Sequence, residues 1–399
     1  MNLQDKPILI IGGGVAGPVL AMFLQRAGLR AVIYEAHDAP SDEAGAFLNL
    51  APNGLNVLKT LGIEEQIRAL GFSFDETVFQ NRQGARVGAI ESHTEAARFG
   101  AQSVMLKRGK LHHALTQEAQ RRGIQIHFGK RLERLTLNPN QVTACFQDGS
   151  AAEGALLIGC DGIHSRTREI ILPDAPKPTY TGIVDCGGFT HCDTVPFTNS
   201  VNMVFGARAF FGYFVAPTRE IFWFNNIEYP QARLGETLQA IPSAEWRVQL
   251  LESHHDDPRA VRDILRSTQG EIGRWPIYDI PFLPTWHQGR VCVVGDAAHA
   301  TSPHAGQGAS LAMEDGLTLA QCLRDVSTPE QAFEMFHRLR KERVEAVILA
   351  ARSIGNQKAL SNPLATWFRD RMLPFFLKLG ASSTASLYSY RADWDLRVA

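Results

Sequence analysis

The run RVCVVGDAAHATSPHAGQG, residues 290–308, gathers the side chains and glycines of this sequence best suited to holding a cofactor. Val291, Val293 and Val294 are β-branched within an unbroken apolar stretch, the pattern of a strand buried in a parallel sheet. The stretch stops at Gly295-Asp296, and a helical pattern opens near Gln307-Gly308. A carboxylate at the carboxyl end of a strand can accept a hydrogen bond from a sugar or polyol hydroxyl. A glycine-bordered helix start aims unpaired N–H groups and the positive end of the helix dipole at whatever lies before it. Pro303 stiffens the connection, and Gly306 and Gly308 let the backbone approach a flat ligand with no side chain between. The chemistry that fits is stabilisation of an electron-rich ring that becomes anionic on reduction. Flavin is such a ring.

A second constellation stands near the start of the chain. Residues 6–11 read as a short apolar strand, 12–17 as a turn, 15–27 as a helix closed by Gly28, and 30–35 as a second strand ending in an acid. Gly12, Gly14 and Gly17 then form a G-x-G-x-x-G fingerprint, with Ala16 in the same turn and Glu35 eighteen residues beyond Gly17. The three glycines serve a tight turn, close approach to a pyrophosphate, and helix–sheet packing. Glu35 would accept hydrogen bonds from a ribose diol and repel a 2′-phosphate, which favours FAD or NAD over NADP at this position.

Other elements must position these groups. At 399 residues the chain exceeds one ordinary core, so two closely packed domains are expected. Residues 51–70 read as helical, 106–123 as a second helix, and 125–159 as strands with turns at Asn138-Pro139 and Asp148-Gly149. Residues 155–159 are a buried strand that ends at Cys160-Asp161-Gly162. From 179 to 278 the sequence is rich in Phe, Trp and Tyr with period-two stretches, as in an antiparallel sheet. Residues 309–325 and 329–358 read as helices, and 362–380 as an amphipathic helix interrupted by Pro374.

A net charge of −1 points to neither a nucleic-acid surface nor an anionic membrane. Residues 7–24 carry no charge, but three consecutive glycines and Pro18 make them a poor membrane span and a good strand–turn–helix. Six cysteines without a C-x-x-C pair are expected to be reduced thiols in a soluble cytoplasmic protein, monomeric or homodimeric. His254-His255-Asp256-Asp257 lacks the spacing of a zinc site and reads as solvated surface; no metal is expected.

Three motifs therefore stand in one order: GGGVAG with Glu35, CDGIHSRTR at 160–168, and GDAAHATSPHAGQG at 295–308. Together they resemble the single-component FAD-dependent aromatic hydroxylases, the family of para-hydroxybenzoate hydroxylase. Its D-G-x-x-S-x-x-R motif is matched by Asp161, Gly162, Ser165 and Arg168, and its Arg-x-x-Leu element by Arg108 and Leu111. The resemblance covers the segments 5–70, 105–170 and 280–325. It implies an α/β fold in which a Rossmann-like FAD-binding domain (1–70, 106–178 and 279–328) is interleaved with a mostly antiparallel β-sheet substrate domain (71–105 and 179–278), followed by a C-terminal helical region (329–399).

Carried over residue by residue, the resemblance implies that Gly12, Gly14, Ala16 and Gly17 cradle the FAD pyrophosphate and Glu35 the adenosine ribose. Arg108 would lie near the ribityl and pyrophosphate, Asp296 would hold the ribityl chain, and Pro303, Gly306, Gln307 and Gly308 would lie against the isoalloxazine. Asp161 would be shared between the pyrophosphate region and transiently bound NADPH or NADH, for which the chain has no second fingerprint. The implied activity is an NAD(P)H- and O2-dependent monooxygenation. A flavin C(4a)-hydroperoxide would hydroxylate an aromatic or polycyclic small molecule, with Pro303, Gly306 and Gly308 shaping the reacting ring.

Alternatives on the same scaffold are an epoxidase, a flavin-dependent halogenase, a reductase and a non-catalytic redox sensor. The halogenase signature W-x-W-x-I-P is missing. Phe211, Tyr213, Trp223 and Asn225 are the expected substrate pocket. Arg208 and Arg219 are the only cations between 179 and 230, so a neutral, largely apolar substrate is expected.

Overall fold

Ile8–Ile11, buried along its whole length, lies in the middle of a six-stranded sheet because its residues are apolar on both faces. The order across this sheet is His287–Gln288, Val291–Val293, Leu156–Gly159, Ile8–Ile11, Ala31–Tyr34 and Gln125–His127. All neighbours are parallel except the edge strand His287–Gln288. The chain is seen here in a computed structural model that describes residues 6–40, 46–229, 236–358, 385–391 and 393–399. Helices Ala16–Arg26, Arg108–Arg121 and Gly308–Asp325 share one apolar core with this sheet and with an antiparallel three-stranded sheet made by residues 132–154.

A seven-stranded sheet forms the second layer of the molecule, in the order Gly273–Asp279, Thr179–His191, Glu220–Glu228, Phe210–Val215, Ser200–Phe205, Glu76–Gln80 and Arg86–Glu91. Only the pair Ser200–Phe205 with Glu76–Gln80 is parallel. One face packs on helices Ser243–Ser253 and Arg259–Ser267 through Trp223, Trp246, Leu250 and Ile264. The other face meets a small sheet of Phe47–Leu50, Val104–Lys107 and Phe72–Ser73, with Phe47 against Phe222 and Phe224.

Three expectations are corrected locally. Residues 51–70 form two helices, Pro52–Thr60 and Glu64–Arg68, because Gly62 between them takes a left-handed backbone that ends the first. The helix expected from 106 begins at Arg108, since Val104–Lys107 pairs as a strand with Phe47–Leu50. The His254–Asp257 segment is not solvated surface throughout. His254 and Asp257 are buried, with His254 Nδ1 2.5 Å from Asp257 Oδ2, while His255 and Asp256 face solvent. Gly308–Asp325 and Pro329–Lys358 match the two expected helices. The amphipathic helix expected over 362–380 lies outside the described residues.

Candidate cofactor and substrate site

Parallel register sets Ile11 level with Tyr34 and Gly159, and Gly159 level with Val293. The segments 12–17, 35, 160–161 and 295–296 therefore leave the sheet at one edge, the carboxyl end where open α/β sheets bind ligands. Gly12 holds φ +105°, and a β-carbon there would lie 2.3 Å from the Cys160 carbonyl oxygen. A β-carbon on Gly17 would lie 2.1 Å from the Gly12 oxygen, whereas one on Gly14 would meet nothing within 4 Å. The outer glycines thus close the turn on itself, and the middle one faces open space. Helix Ala16–Arg26 starts there with no side-chain cap, and buried Ala16 offers only backbone to a ligand.

Glu35 is tied into this turn. Its Oε2 accepts from the Gly13 N–H at 2.6 Å, and its Oε1 accepts from the His37 N–H at 2.8 Å and lies 2.7 Å from His37 Nδ1. Burial pushes the carboxyl up, but these bonds outweigh it and hold Glu35 below the usual range. On helix Arg108–Arg121, His112 Nε2 lies 2.8 Å from the Gly13 oxygen, and burial lowers its pKa. A carbonyl only accepts, so His112 carries its proton on Nε2 and clips the fingerprint turn from the other side. Sequence reasoning found exposed Arg108 and missed His112, although the i, i+4 spacing places both on one helix face.

The Asp161 carboxylate accepts from Ser165 Oγ at 2.6 Å and from the Thr167 N–H and Oγ1, both at 2.9 Å. Burial nevertheless raises its pKa. Ser165 Oγ caps helix Arg166–Ile171, and Arg168 donates to the Ile163 oxygen at 2.7 Å and the Ala297 oxygen at 2.8 Å. The D-G-x-x-S-x-x-R motif is therefore a self-closed loop that grips the segment after the Val291–Val293 strand.

Asp296 is exposed between buried Gly295 and Ala297. The surrounding protein still pushes its carboxyl up, against the pull of Arg108 and His299, as for a carboxylate at the foot of a cleft. Behind it, the Asp315 carboxylate accepts from the Gly295 N–H at 2.9 Å and from Arg340 Nε at 2.7 Å, and lies 2.5 Å from His299 Nε2. Burial would raise Asp315, but His299 and Arg340 hold it down at about 2. Fully buried Arg340 also pairs with Glu314 at 2.7 Å, as does Arg343. Glu314 accepts from Asn53 Nδ2 at 2.7 Å, and Asn53 Nδ2 also reaches Gln307 Oε1 at 2.9 Å.

This buried network fixes residues 303–308. Pro303 is exposed in the single turn Pro303–Ala305, Gly306 takes φ +61°, and Gly308 opens an 18-residue helix that no side chain caps. Ser302 Oγ, Gln307 Nε2, Ser310 Oγ and Asn53 Oδ1 are buried here without a partner. Two uncapped helix starts, orphaned polar atoms beside the second, and the open face of Gly14 fit a long cofactor with a pyrophosphate and a polar ring at its ends.

A family model described as "FAD binding domain" matches residues 5–351. The chain belongs to the single-component FAD-dependent aromatic hydroxylases. It is 32% identical over 355 residues to 6-hydroxynicotinate 3-monooxygenase of Bordetella bronchiseptica, covering 86% of this chain and 90% of that one. It is 30% identical over 364 residues to 3-hydroxybenzoate 6-hydroxylase of Polaromonas naphthalenivorans, covering 89% and 88%. Among solved structures, HpxO of Klebsiella pneumoniae complexed with FAD and uric acid superposes with a TM-score of 0.86 at 25% identity, covering 97% of this chain and 98% of that one. The protein is an FAD-dependent oxidoreductase with the α/β architecture of these hydroxylases, and among the described residues no helix is long and apolar enough to cross a membrane.

The residues expected to form the substrate wall lie on the face of the seven-stranded sheet that packs on helices Ser243–Ser253 and Arg259–Ser267. Phe211, Tyr213 and Trp223 are buried against the helices, with Phe211 and Trp223 stacked at 5.5 Å. Asn225 donates to the Phe210 oxygen at 2.9 Å and lies 2.6 Å from His254 Nε2. Period-two alternation separates two faces but does not say which one looks at the cofactor. Phe210, Phe214, Phe222 and Phe224 occupy the other face, beside Phe47 and Phe189. That face also receives a cation that no sequence window revealed: Lys107 Nζ lies 4.3 Å from the Phe189 ring centroid and 2.9 Å from Glu220. Arg208 is exposed on the turn between Ser200–Phe205 and Phe210–Val215, and Arg219 donates to the Val195 oxygen.

The two faces are separable by mutation. Trp223→Ala, which empties a fully buried site, is expected to cost about 3–5 kcal/mol of stability. Phe224→Ala, half-buried on the other face, is expected to raise KM with a smaller loss. Denaturant midpoints and steady-state kinetics on both variants check this, and equal KM effects would reject the assignment of faces.

Proposed function

We propose that the protein is an NAD(P)H- and O2-dependent monooxygenase that hydroxylates a planar aromatic small molecule on the face of the seven-stranded sheet bearing Phe47, Phe189, Phe222 and Phe224. The observation that carries this is the meeting of that aromatic face with the residues that fit FAD. Phe47, 5.5 Å from the Phe222 ring, lies in the strand paired with Val104–Lys107, next to Arg108. FAD, when bound, would supply the acceptor for a nicotinamide hydride and the means of placing one atom of O2 in the substrate, the other leaving as water. The chain's own residues bind and orient. The uncapped start of Gly308–Asp325 offers N–H groups to negative charge on the reduced ring, and Asp296 takes the polyol. Gly14 and the uncapped start of Ala16–Arg26 receive the pyrophosphate, Glu35 holds the turn they sit in, and the aromatic wall excludes water.

Relatives are named for carboxylated rings such as 6-hydroxynicotinate and 3-hydroxybenzoate, and HpxO was solved with uric acid. Here Lys107, the cation that meets the aromatic face among the described residues, is already matched by Glu220, and this supports a neutral ring as substrate.

Turnover under ¹⁸O2 with NADPH or NADH is expected to place one labelled oxygen in the product. Label arriving instead from H2¹⁸O, or turnover without O2, would reject the monooxygenase reading.

A further inference from the structure

Cross-strand register lays the cofactor-side face of the seven-stranded sheet out in rows. One row runs Phe189, Phe222, Phe214, Val201 and is wholly apolar. The next runs Gly273, Gly187, Phe224, Gly212, Met203. Its glycines make room for rings. A β-carbon on Gly212 would lie 2.1 Å from the Phe224 ring, and one on Gly273 would lie 2.1 Å from the Trp275 ring. Both rings are thus laid down over bare backbone, and the sheet face becomes a flat aromatic floor.

The third row, Trp275, Asp185, Asn226, Phe210, breaks the apolar pattern. Asn226 Nδ2 donates to Asp185 Oδ1 at 3.1 Å. A carboxylate only accepts, so this contact fixes which way the amide points and turns Asn226 Oδ1 away from Asp185. That oxygen is buried without a hydrogen-bond partner, on a side chain only 7% exposed. A buried carbonyl without a donor is a place where a ligand donor gains more than it would in water. In the adjoining row Phe224 stands beside Phe47 at 6.0 Å, and farther along Gly273–Asp279 the Tyr278 ring meets His164 of the D-G-x-x-S loop at 5.4 Å.

We propose that Asn226, oriented by Asp185, forms the accepting end of this floor and selects a neutral planar substrate that presents a ring N–H or O–H, with the donor on Asn226 Oδ1. This rests on the monooxygenase reading above and names the substrate class of that site. Ligand binding positions the ring and transfers no proton to the chain.

The test uses FAD-loaded protein and follows perturbation of the flavin absorbance, without turnover, during titration with matched probes: 2-pyridone against N-methyl-2-pyridone, indole against N-methylindole, and each parent against a carboxylated analogue. The parent compounds are expected to bind about tenfold more tightly than their N-methyl partners, the worth of one enclosed hydrogen bond. Asn226→Leu is expected to erase that preference while FAD content and N-methyl affinity stay as they were. Equal binding within the methylated pairs, tightest binding by the carboxylated probes, no response to any neutral probe, or an unchanged preference in Asn226→Leu would each overturn the proposal. Binding is read without oxygen transfer, so a failure of the monooxygenase reading shows separately in the ¹⁸O2 experiment. Should the carboxylated probes win, Lys107→Gln and Arg208→Ala show which cation holds them.

Discussion

Replacing Arg340 by Met is expected to cost about 3–5 kcal/mol of stability and to release FAD, because it removes the buried guanidinium shared by Asp315 and Glu314 and leaves two fully buried carboxylates with only His299 and Arg343 beside them. Denaturant unfolding followed by flavin fluorescence measures both effects in one experiment. The loss should be selective in pH. In the folded protein Asp315 is held down at about 2 against an ordinary 3.8, so its ionised form stabilises the fold. That contribution is complete above the ordinary value and drains away as pH falls through about 2. Without Arg340 the carboxyl titrates higher, and acid release of FAD should begin at a higher pH than in the parent. An Arg340→Met protein with unchanged unfolding midpoint and acid profile would show that the cluster does not hold the 295–308 segment.

The second large effect separates two glycines of one motif. Gly14→Ala places a methyl where nothing lies within 4 Å, so the fold is expected to persist while FAD affinity falls by about 10–100-fold, the worth of one or two charge-assisted backbone contacts. Gly17→Ala instead drives a carbon to 2.1 Å from the Gly12 oxygen. The turn must open, and overpacking of this kind costs about 1–3 kcal/mol before any cofactor is considered. Circular dichroism of apoprotein and FAD titration of each variant distinguish the outcomes. A folded Gly17→Ala protein with normal FAD affinity, or an unfolded Gly14→Ala protein, would reverse the roles.

Local pattern carried the sequence reading far. The fingerprint, the acid ending the second strand and the Gly295–Gly308 segment each signal themselves within a few residues, and the register of one parallel sheet brings them to a common edge. What escaped depends on pairing across the chain. Arg340 and Asp315 lie on different helices and meet only through packing. The one local hint was Glu314-Asp315, two adjacent acids inside an apolar helix. Lys107 reaches the aromatic wall from a strand of another sheet. The two faces of the seven-stranded sheet could not be told apart for a simpler reason: alternation in FFGYFV and IFWFNN is equally good read from either side, and both faces of this sheet are buried.

The guanidinium of Arg168 joins the loop after Leu156–Gly159 to the carbonyl of Ala297. The loop after Leu156–Gly159 and the segment after Val291–Val293, the two expected to flank the middle of a bound cofactor, are thereby tied into one jaw rather than left as two separate lips. Entropy that a floppy cleft would surrender on closing around a ligand has been surrendered already, during folding. Exchange of one flavin for a chemically altered one then becomes a matter of entry and exit through a preset opening, with the sheet edge keeping its shape in between.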